Sequence, residues 1–278
     1  MTSAKSNNKK QIVLAEILPK LVRLAQQAGL AAVNIYQSQD LDVSYKADHS
    51  PLSRADVMCN QIIVDELMRL APEVVIVSEE SPSLETKLRL AARTLWLVDP
   101  IDGTKGFVAG SPDYTINIGL VEDGWPALGV VYAPSHSLMY YGAIGLGAWK
   151  QQLAPDADLG LAAPPQRLQV QVATQPPVVA VSRGQQNPQV DAYLAKLEPH
   201  SLLPVGSSLK ICYVADGTVS IYPRLNPCME WDTAAADAVL RAAGGTVLQL
   251  DEHQQPGAPL IYNKSDLYNP PFIAQFLS

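Results

Sequence analysis

Apolar residues recur at spacings of three and four along residues 17–36, where Leu21, Leu24, Ala28, Ala32 and Ile35 share one face. That period predicts an amphipathic helix, with Pro19 suited only to its first turn. Residues 53–70 repeat the pattern through Met58, Ile62, Leu67 and Leu70. Ser53 is placed to cap this helix, and Pro72 lies just beyond its end. The β-branched run at 74–77 predicts a short strand ending in Ser78-Glu79-Glu80, and residues 94–98 a second strand ending at Asp99 and Asp102. Residues 114–150 read as antiparallel: strands at 115–121 and 128–132 flank the turn signal Glu122-Asp123-Gly124, and 137–142 and 148–150 extend the sheet. Residues 151–177, rich in Pro, Ala and Gln without a period, read as a linker. Beyond it, strands at 178–181, 219–222 and 246–250 alternate with helices at 188–197, 208–215 and 233–243. The pattern predicts a layered α/β protein in two subdomains, 11–150 and 178–278, behind a disordered tail at 1–10.

The length of 278 residues allows one large or two modest domains and ample core. The net charge of −7 argues against general nucleic-acid binding, which runs on basic surface. The three cysteines, Cys59, Cys212 and Cys228, are widely spaced and odd in number, which points to reduced thiols and a cytoplasmic location rather than a disulfide framework. The start has a basic stretch and then a short apolar one, but Glu16, Lys20 and Arg23 interrupt any secretory signal core. No run approaches the ~20 apolar residues of a membrane span. Loose peripheral contact with the inner membrane is a further option, unsupported by any basic amphipathic helix. Oligomeric state is not legible.

Four stretches place carboxylates at strand ends or helix starts: Ser53-Arg54-Ala55-Asp56, Ser78-Glu79-Glu80, Asp99-Pro100-Ile101-Asp102-Gly103-Thr104 and Glu230-Trp231-Asp232-Thr233. Their potential ligands are all oxygen, and His is scarce, so Mg²⁺ or Mn²⁺ suits them better than zinc or iron. A divalent cation would neutralise the repulsion between Asp99 and Asp102, Pro100 would stiffen their turn, and the Ile101 carbonyl is a third oxygen. Gly103 and Thr104 would open a helix whose N–H groups seat a phosphate. Each feature alone has an ordinary reading. Asp-Gly is a common turn, Glu79 and Glu80 suit a solvated loop, Asp232 could cap an Ala-rich helix, and Asp56 could favour a helix dipole. Ser207 is placed as an N-cap, with Lys210 in the following first turn and Arg224 at a strand end. Lys210 reads equally as a surface lysine or as a cation facing a ligand phosphate.

The four stretches, in this order, resemble the magnesium-dependent, lithium-sensitive phosphatases of the inositol monophosphatase superfamily. Asp-Gly-Thr-Lys-Gly-Phe, with Lys46-Ala47-Asp48-His49-Ser50-Pro51, Gly206-Ser207-Ser208-Leu209-Lys210 and Tyr222-Pro223-Arg224, is similar to its 3′(2′),5′-bisphosphate nucleotidase branch. The bacterial enzymes that clear adenosine 3′,5′-bisphosphate during sulfate assimilation are the nearest likeness. The resemblance implies a sugar-phosphatase-like α-β-α-β-α sandwich and hydrolysis of the 3′-phosphate to AMP without a covalent intermediate. It further implies two or three Mg²⁺ ions, with Mn²⁺ as a substitute. Glu79, Asp99 and the Ile101 carbonyl would hold one ion; Asp99, Asp102 and Asp232 a second; a third would sit near Glu79 through water. Asp56 and Thr104 would activate the attacking water, and Gly103, Thr104, Ser207, Ser208, Lys210 and Arg224 would contact substrate. Inositol monophosphate or a sugar bisphosphate is the alternative substrate, and a silent nucleotide or metal sensor the alternative class. Asp99 and Asp102 are three apart, not two, which excludes the haloacid-dehalogenase motif, and the frame of a P-loop is missing.

Overall fold

In a computed structural model, residues 3–81, 84–169, 176–183, 188–197 and 199–276 are described. Helix α1 (Ser3–Ser38) buries Leu14, Leu18, Leu21, Ala25, Ala28 and Ala32 along one stripe. It begins inside the stretch expected to be a tail, and Pro19 lies in its interior rather than its first turn. Residues 3–18 contain neither Gly nor Pro, so nothing local stops a helix that the apolar stripe holds downstream. At Pro19 the missing N–H leaves the Ala15 carbonyl without its helical donor. A small ribbon, β1 (Ser44–Tyr45) with β2 (Pro51–Leu52), leads to α2 (Arg54–Leu70), which packs on α1. Ser53 caps α2 in a reciprocal capping box with Asp56.

The first sheet holds β3 (Val75–Ser78), β4 (Thr94–Asp102), β5 (Thr115–Glu122), β6 (Trp125–Ala133), β7 (Leu138–Ala143), β8 (Gly147–Gln152) and β9 (Gln166–Leu168), in chain order across the sheet. Only β3 and β4, linked through α3 (Thr86–Ala91), are parallel. The β5–β6 turn needs left-handed backbone at Asp123 (φ 50°) and Gly124 (φ 81°), as the sequence signalled. Strand β9 falls inside the stretch read as a linker, and Ala157, Leu159 and Ala162 from that stretch pack on the core. The Gln26 amide binds the Ala154 and Ala157 carbonyls at 3.0 and 2.8 Å, so long-range contacts, invisible to any period, order this segment.

The second half supplies β10 (Val178–Ser182), α5 (Pro188–Leu194), β11 (Ser201–Val205), α6 (Leu209–Ala215), β12 (Ile221–Arg224), β13 (Cys228–Met229), α7 (Ala234–Ala242), β14 (Gly245–Leu250), β15 (Pro256–Pro259), β16 (Tyr268–Asn269) and β17 (Phe272–Phe276). Its main sheet runs β11-β10-β12-β17-β14-β15, parallel through the first three strands and antiparallel after them. β17 lies at its centre although no sequence signal marked it. Two apolar layers account for most of the core. Trp96 and Val98 of β4 face α1 and α2, whereas Leu95 and Leu97 face α6 and α7, which lie between the sheets. Val190, Tyr193 and Leu197, in and just after α5, pack with Leu250 and Ile273 of the second sheet. The order α1/α2, sheet, α6/α7, sheet, α5 is the expected α-β-α-β-α sandwich.

Helix α7 crosses the first sheet at Gly119 and Gly129. A Cβ at Gly129 would lie 1.9 Å from the Ala235 carbonyl oxygen, so helix and strand would have to separate. Gly129→Ala should therefore lower unfolding free energy by about 3 kcal/mol, the upper end of overpacking costs. Urea denaturation at unchanged m-value reads it, and wild-type stability would refute this account of the α7 contact.

Candidate active site

Strict alternation along a strand would send Asp99 and Asp102, three residues apart, to opposite faces of the sheet. The structure prevents this with a bulge. Asp99 pairs with Asn117 and Asp102 with Thr115, so Pro100 and Ile101 together stand opposite Ile116. The bulge falls where Pro100 has no N–H to give to the ladder. Ile101 turns into the α1/α2 core, and both aspartates come to the side carrying α6 and the Glu230–Asp232 turn.

Asp99 is 2% exposed. Burial, then Glu79, Asp102, Asp232 and Asp56, hold its carboxyl well above the usual range. Asp102 is raised by burial, against the pull of Lys210, Arg224 and the Ser208 N–H. Asp232 is pushed up to about 7, by burial first and Asp102 next, with Arg224 opposing. Each carboxylate has an internal donor. Asp99 accepts from the Ile101 N–H at 3.1 Å, Asp102 from the Ser208 N–H at 2.6 Å, and Asp232 from the Met229 N–H at 3.1 Å. Lys46 reaches both Glu79, at 2.7 Å, and Glu80, at 2.5 Å. Burial lowers the Lys46 pKa, but its two partners outweigh that and leave it raised.

Asp56 is fully buried. Its Oδ2 accepts from the Ser53 N–H (2.8 Å) and Oγ–H (2.6 Å), which leaves Oδ1 for the Thr104 hydroxyl at 2.8 Å. The Thr104 oxygen is also 3.0 Å from the Ile101 carbonyl. A single hydroxyl proton serves both acceptors, and the charged, nearer Asp56 is the stronger. Gly103 precedes Thr104 with φ +94°, and the helix it opens, α4 (Thr104–Val108), is only five residues long.

The opposite wall comes from the second subdomain. A cavity of about 510 Å³ brings together Asp102, Gly103, Asp232, Ser207, Ser208, Lys210, Tyr222 and Arg224. Lys210 is no surface lysine: it is 4% exposed, donates to the Ser207 carbonyl at 2.7 Å and lies over the Tyr222 ring. Burial lowers its pKa to about 8, although Asp102 raises it. Arg224 reaches the Asn226 carbonyl (3.3 Å) and the Tyr222 hydroxyl (3.5 Å). Ser207 adopts φ +52° and sits one residue before the cap position of α6, its Oγ only 3.4 Å from the Leu209 N–H. The expected Ser207 cap is thus displaced, because the turn bends the chain back toward Asp102. Ser208 is buried with both donors in use: its N–H on Asp102, its hydroxyl on Asn117 Oδ1 (2.7 Å) and within 2.8 Å of Thr115 Oγ1. It ties α6 to β4 and β5 and has no free donor for a ligand.

Among the described residues, no group of three His, Cys, Asp or Glu side chains is arranged to hold one ion as it stands. Each carboxylate has instead turned onto its internal donor. The donor set still fits an oxygen-liganded divalent cation. Glu79, Asp102 and Asp232 are close enough to raise the Asp99 pKa, and the Ile101 carbonyl is adjacent. Sequence reasoning missed the counter-cation Lys46, although it singled out its stretch. It also missed Asp113 and Arg183, which line the same cavity. Neither has a local signal, because both act across subdomains.

The family model for inositol monophosphatases matches residues 13–273. Over 259 residues the chain is 39% identical to the 3′(2′),5′-bisphosphate nucleotidase CysQ of Escherichia coli (strain K12), covering 92% of this chain and 98% of that one. The CysQ of Haemophilus influenzae is 33% identical over 259 residues, covering 92% and 91%. The crystal structure of CysQ from Bacteroides thetaiotaomicron superposes with a TM-score of 0.79 at 36% identity, over 91% of this chain and 94% of that one. The Thermotoga maritima IMPase, at 23% identity and a TM-score of 0.71 over 92% and 91% of the chains, shares the fold.

Raised carboxylate pKa values have a consequence for stability. A group with folded pKa above its unfolded value stabilises fully below the unfolded value and loses that contribution as pH rises through the folded one. For Asp232 the window runs from the ordinary 3.8 to about 7. Lys210 does not oppose this, since its lowered pKa acts only above about 8. Chelator-treated protein should therefore lose Tm between pH 5 and 7.5, and Mg²⁺ should flatten the slope. Asp99→Asn should flatten it without metal by removing one repelling charge. A pH-independent Tm in chelator would show that the carboxylates do not repel as described.

Proposed function

The chain belongs to the inositol monophosphatase family, and from that premise we propose that it is a metal-dependent 3′(2′),5′-bisphosphate nucleotidase that converts adenosine 3′,5′-bisphosphate to AMP and phosphate. The observation that carries the substrate assignment is the pair of cations, buried Lys210 and half-buried Arg224, set beside the metal-site carboxylates in one cavity. A site for a single phosphate ester does not need two further cations on its substrate wall. An inositol monophosphate would leave both of them without an anion, whereas the second phosphate of a bisphosphate meets them. The relatives that carry the nucleotidase name support the same choice. The metal ligands are Glu79, Asp99, the Ile101 carbonyl, Asp102 and Asp232, holding two or three Mg²⁺, with Mn²⁺ as a substitute. When bound, the ions offset the carboxylate charge and draw charge off the phosphoryl oxygens as Lewis acids.

The protein's own part is to orient a water and take its proton. Thr104 donates to Asp56, so its oxygen lone pair faces outward as acceptor for a water placed in line with the phosphorus. As the water oxygen attacks, its proton passes to the Thr104 oxygen while the threonine proton moves to Asp56 Oδ1. Ser53 holds the other Asp56 oxygen and fixes its orientation. The P–O ester bond breaks on the opposite side, its electron pair leaves with the ester oxygen, and that oxygen takes a proton from solvent water to depart as the alcohol. Ser208 is not a nucleophile, since its hydroxyl is bonded to Asn117. Lys210 and Arg224 hold the phosphate that is not cleaved and so choose which ester reaches the metals.

Thr104→Ala removes the relay and should lower kcat by about 10²–10⁴ with little change in KM, the usual scale for a positioned proton acceptor. Wild-type kcat in that variant would eliminate the relay. Lys210→Ala and Arg224→Ala should each lower kcat/KM for adenosine 3′,5′-bisphosphate roughly 10- to 150-fold, the value of a charged hydrogen bond, and barely change it for adenosine 3′-monophosphate. Equal losses on both esters would reassign these cations to the metal site. A substrate panel of adenosine 3′,5′-bisphosphate, inositol 1-phosphate and fructose 1,6-bisphosphate with Mg²⁺ tests the reading as a whole, and a preference for either of the last two would overturn it.

A further inference from the structure

The cavity has a second end that the phosphate chemistry leaves unexplained. Its inner end carries Asp102, Asp232, Lys210 and Arg224. The same cavity is lined by Lys105, Ala109, Ser111, Ser182, Arg183 and Gly206, of which Lys105, Ala109 and Arg183 are exposed and mark its outer end. At that outer end a buried carboxylate, Asp113, gathers donors from three separate elements. Its Oδ2 accepts from Arg183 Nε at 2.8 Å and from the Gly206 N–H at 2.9 Å, and its Oδ1 lies 3.0 Å from His136 Nε2. The Asp113 side chain is 2% exposed, whereas that of Arg183 is 57% exposed. The approach at Gly206 is close: a Cβ there would lie 2.7 Å from Asp113 Cβ, so no side chain fits between carboxylate and loop. Asp113 precedes β5, Arg183 follows β10, and Gly206 follows β11, so this single carboxylate joins the two subdomains at the mouth of the cavity.

We propose that Arg183, oriented by Asp113, is the residue that recognises the nucleobase, its planar guanidinium facing the purine ring at the outer end of the cavity. This rests on the nucleotide reading above. The bond to Asp113 uses Nε alone, which leaves the guanidinium face and the two terminal nitrogens for a ligand. Arg224 interacts electrostatically with Asp102 and Asp232, and Lys210 with Asp102 first among the carboxylates and Asp113 next, so Arg224 belongs to the phosphate end and Lys210 lies where that end meets Asp113. A nucleotide with its phosphates there must extend its base outward. An arginine held on a buried carboxylate is already ordered before the ligand arrives, and planar guanidinium–aromatic contact suits a purine better than a flexible ammonium would. Asp113 is a positioning residue: it acts through Arg183 and through the loop that begins at Gly206.

The test uses the full chain with Mg²⁺ and reads KM and kcat for adenosine 3′,5′-bisphosphate, together with competitive inhibition by AMP and by inorganic phosphate. Arg183→Ala should raise KM and the AMP inhibition constant about tenfold. Inhibition by inorganic phosphate should stay within twofold, and kcat should fall far less than KM rises. Arg183→Lys should not restore nucleotide affinity, since it keeps the charge but loses the plane. Asp113→Asn should show the same nucleotide-specific rise, and the double variant should be little worse than Arg183→Ala alone, as expected for residues acting in series. Equal weakening of AMP and phosphate, unchanged AMP inhibition in Arg183→Ala, or full rescue by lysine would each overturn the proposal. If Asp113→Asn fails to fold, the exposed Arg183 variants still decide it. A wild-type protein that hydrolyses another ester and is not inhibited by AMP would instead sink the nucleotide reading, and this proposal with it.

Discussion

The structure is organised around a repulsion. Asp99 is buried among Glu79, Asp102, Asp232 and Asp56, and all of them carry the same sign when ionised. Burying one unpaired charge is already costly, and burying several together is worse. Every neighbouring element supplies some relief: Lys46 on Glu79 and Glu80, the Ser208 N–H on Asp102, the Met229 N–H on Asp232, and the electrostatic pull of Lys210 and Arg224 on Asp102. These are partial remedies, since Asp99, Asp102 and Asp232 all remain harder to ionise than ordinary aspartates. What remains is an affinity for multivalent cations built into the fold.

That arrangement requires both halves of the chain. Strand β4 delivers Asp99 and Asp102, while the turn before α7 delivers Asp232 and α6 delivers Lys210. Ser208 is the rivet between them, its N–H on Asp102 and its hydroxyl between Asn117 and Thr115. Those two residues alternate along β5 opposite the two aspartates, so the bulge in β4 and the seat for Ser208 are one feature seen from two sides. Helix α7 reaches the sheet closely only because positions 119 and 129 are glycine. Phosphate chemistry and subdomain packing therefore share the same contacts.

The division of labour within the cavity follows from charge. The clustered carboxylates with Lys210 and Arg224 concentrate charge of both signs at the inner end, whereas at the outer side the Arg183 charge is balanced by Asp113 and its guanidinium plane is left for a flat group. Burial raises the Asp113 pKa, but Arg183, the Gly206 N–H and His136 outweigh it and keep the carboxyl below its usual range.

Sequence alone determined the features that depend on near neighbours. The spacing of Leu21, Leu24, Ala28 and Ala32 marked α1, Ser53 and Asp56 marked the start of α2, and Asp123-Gly124 marked the hairpin. The motif carboxylates were legible because strand ends and helix starts announce themselves locally. Tertiary structure decided the rest. Residues 151–177 lack a period, yet they carry β9 because distant side chains hold them. Lys210 read equally as surface lysine or ligand, and only burial over Tyr222 chose between the two. Ser208 read as a substrate contact, but Asp102, 106 positions away, had claimed its N–H. Asp113 and Arg183 carried no signal at all. Periodicity and capping act over a few residues, whereas the placement of a buried charge depends on every group that surrounds it, and those groups arrive from all parts of the chain.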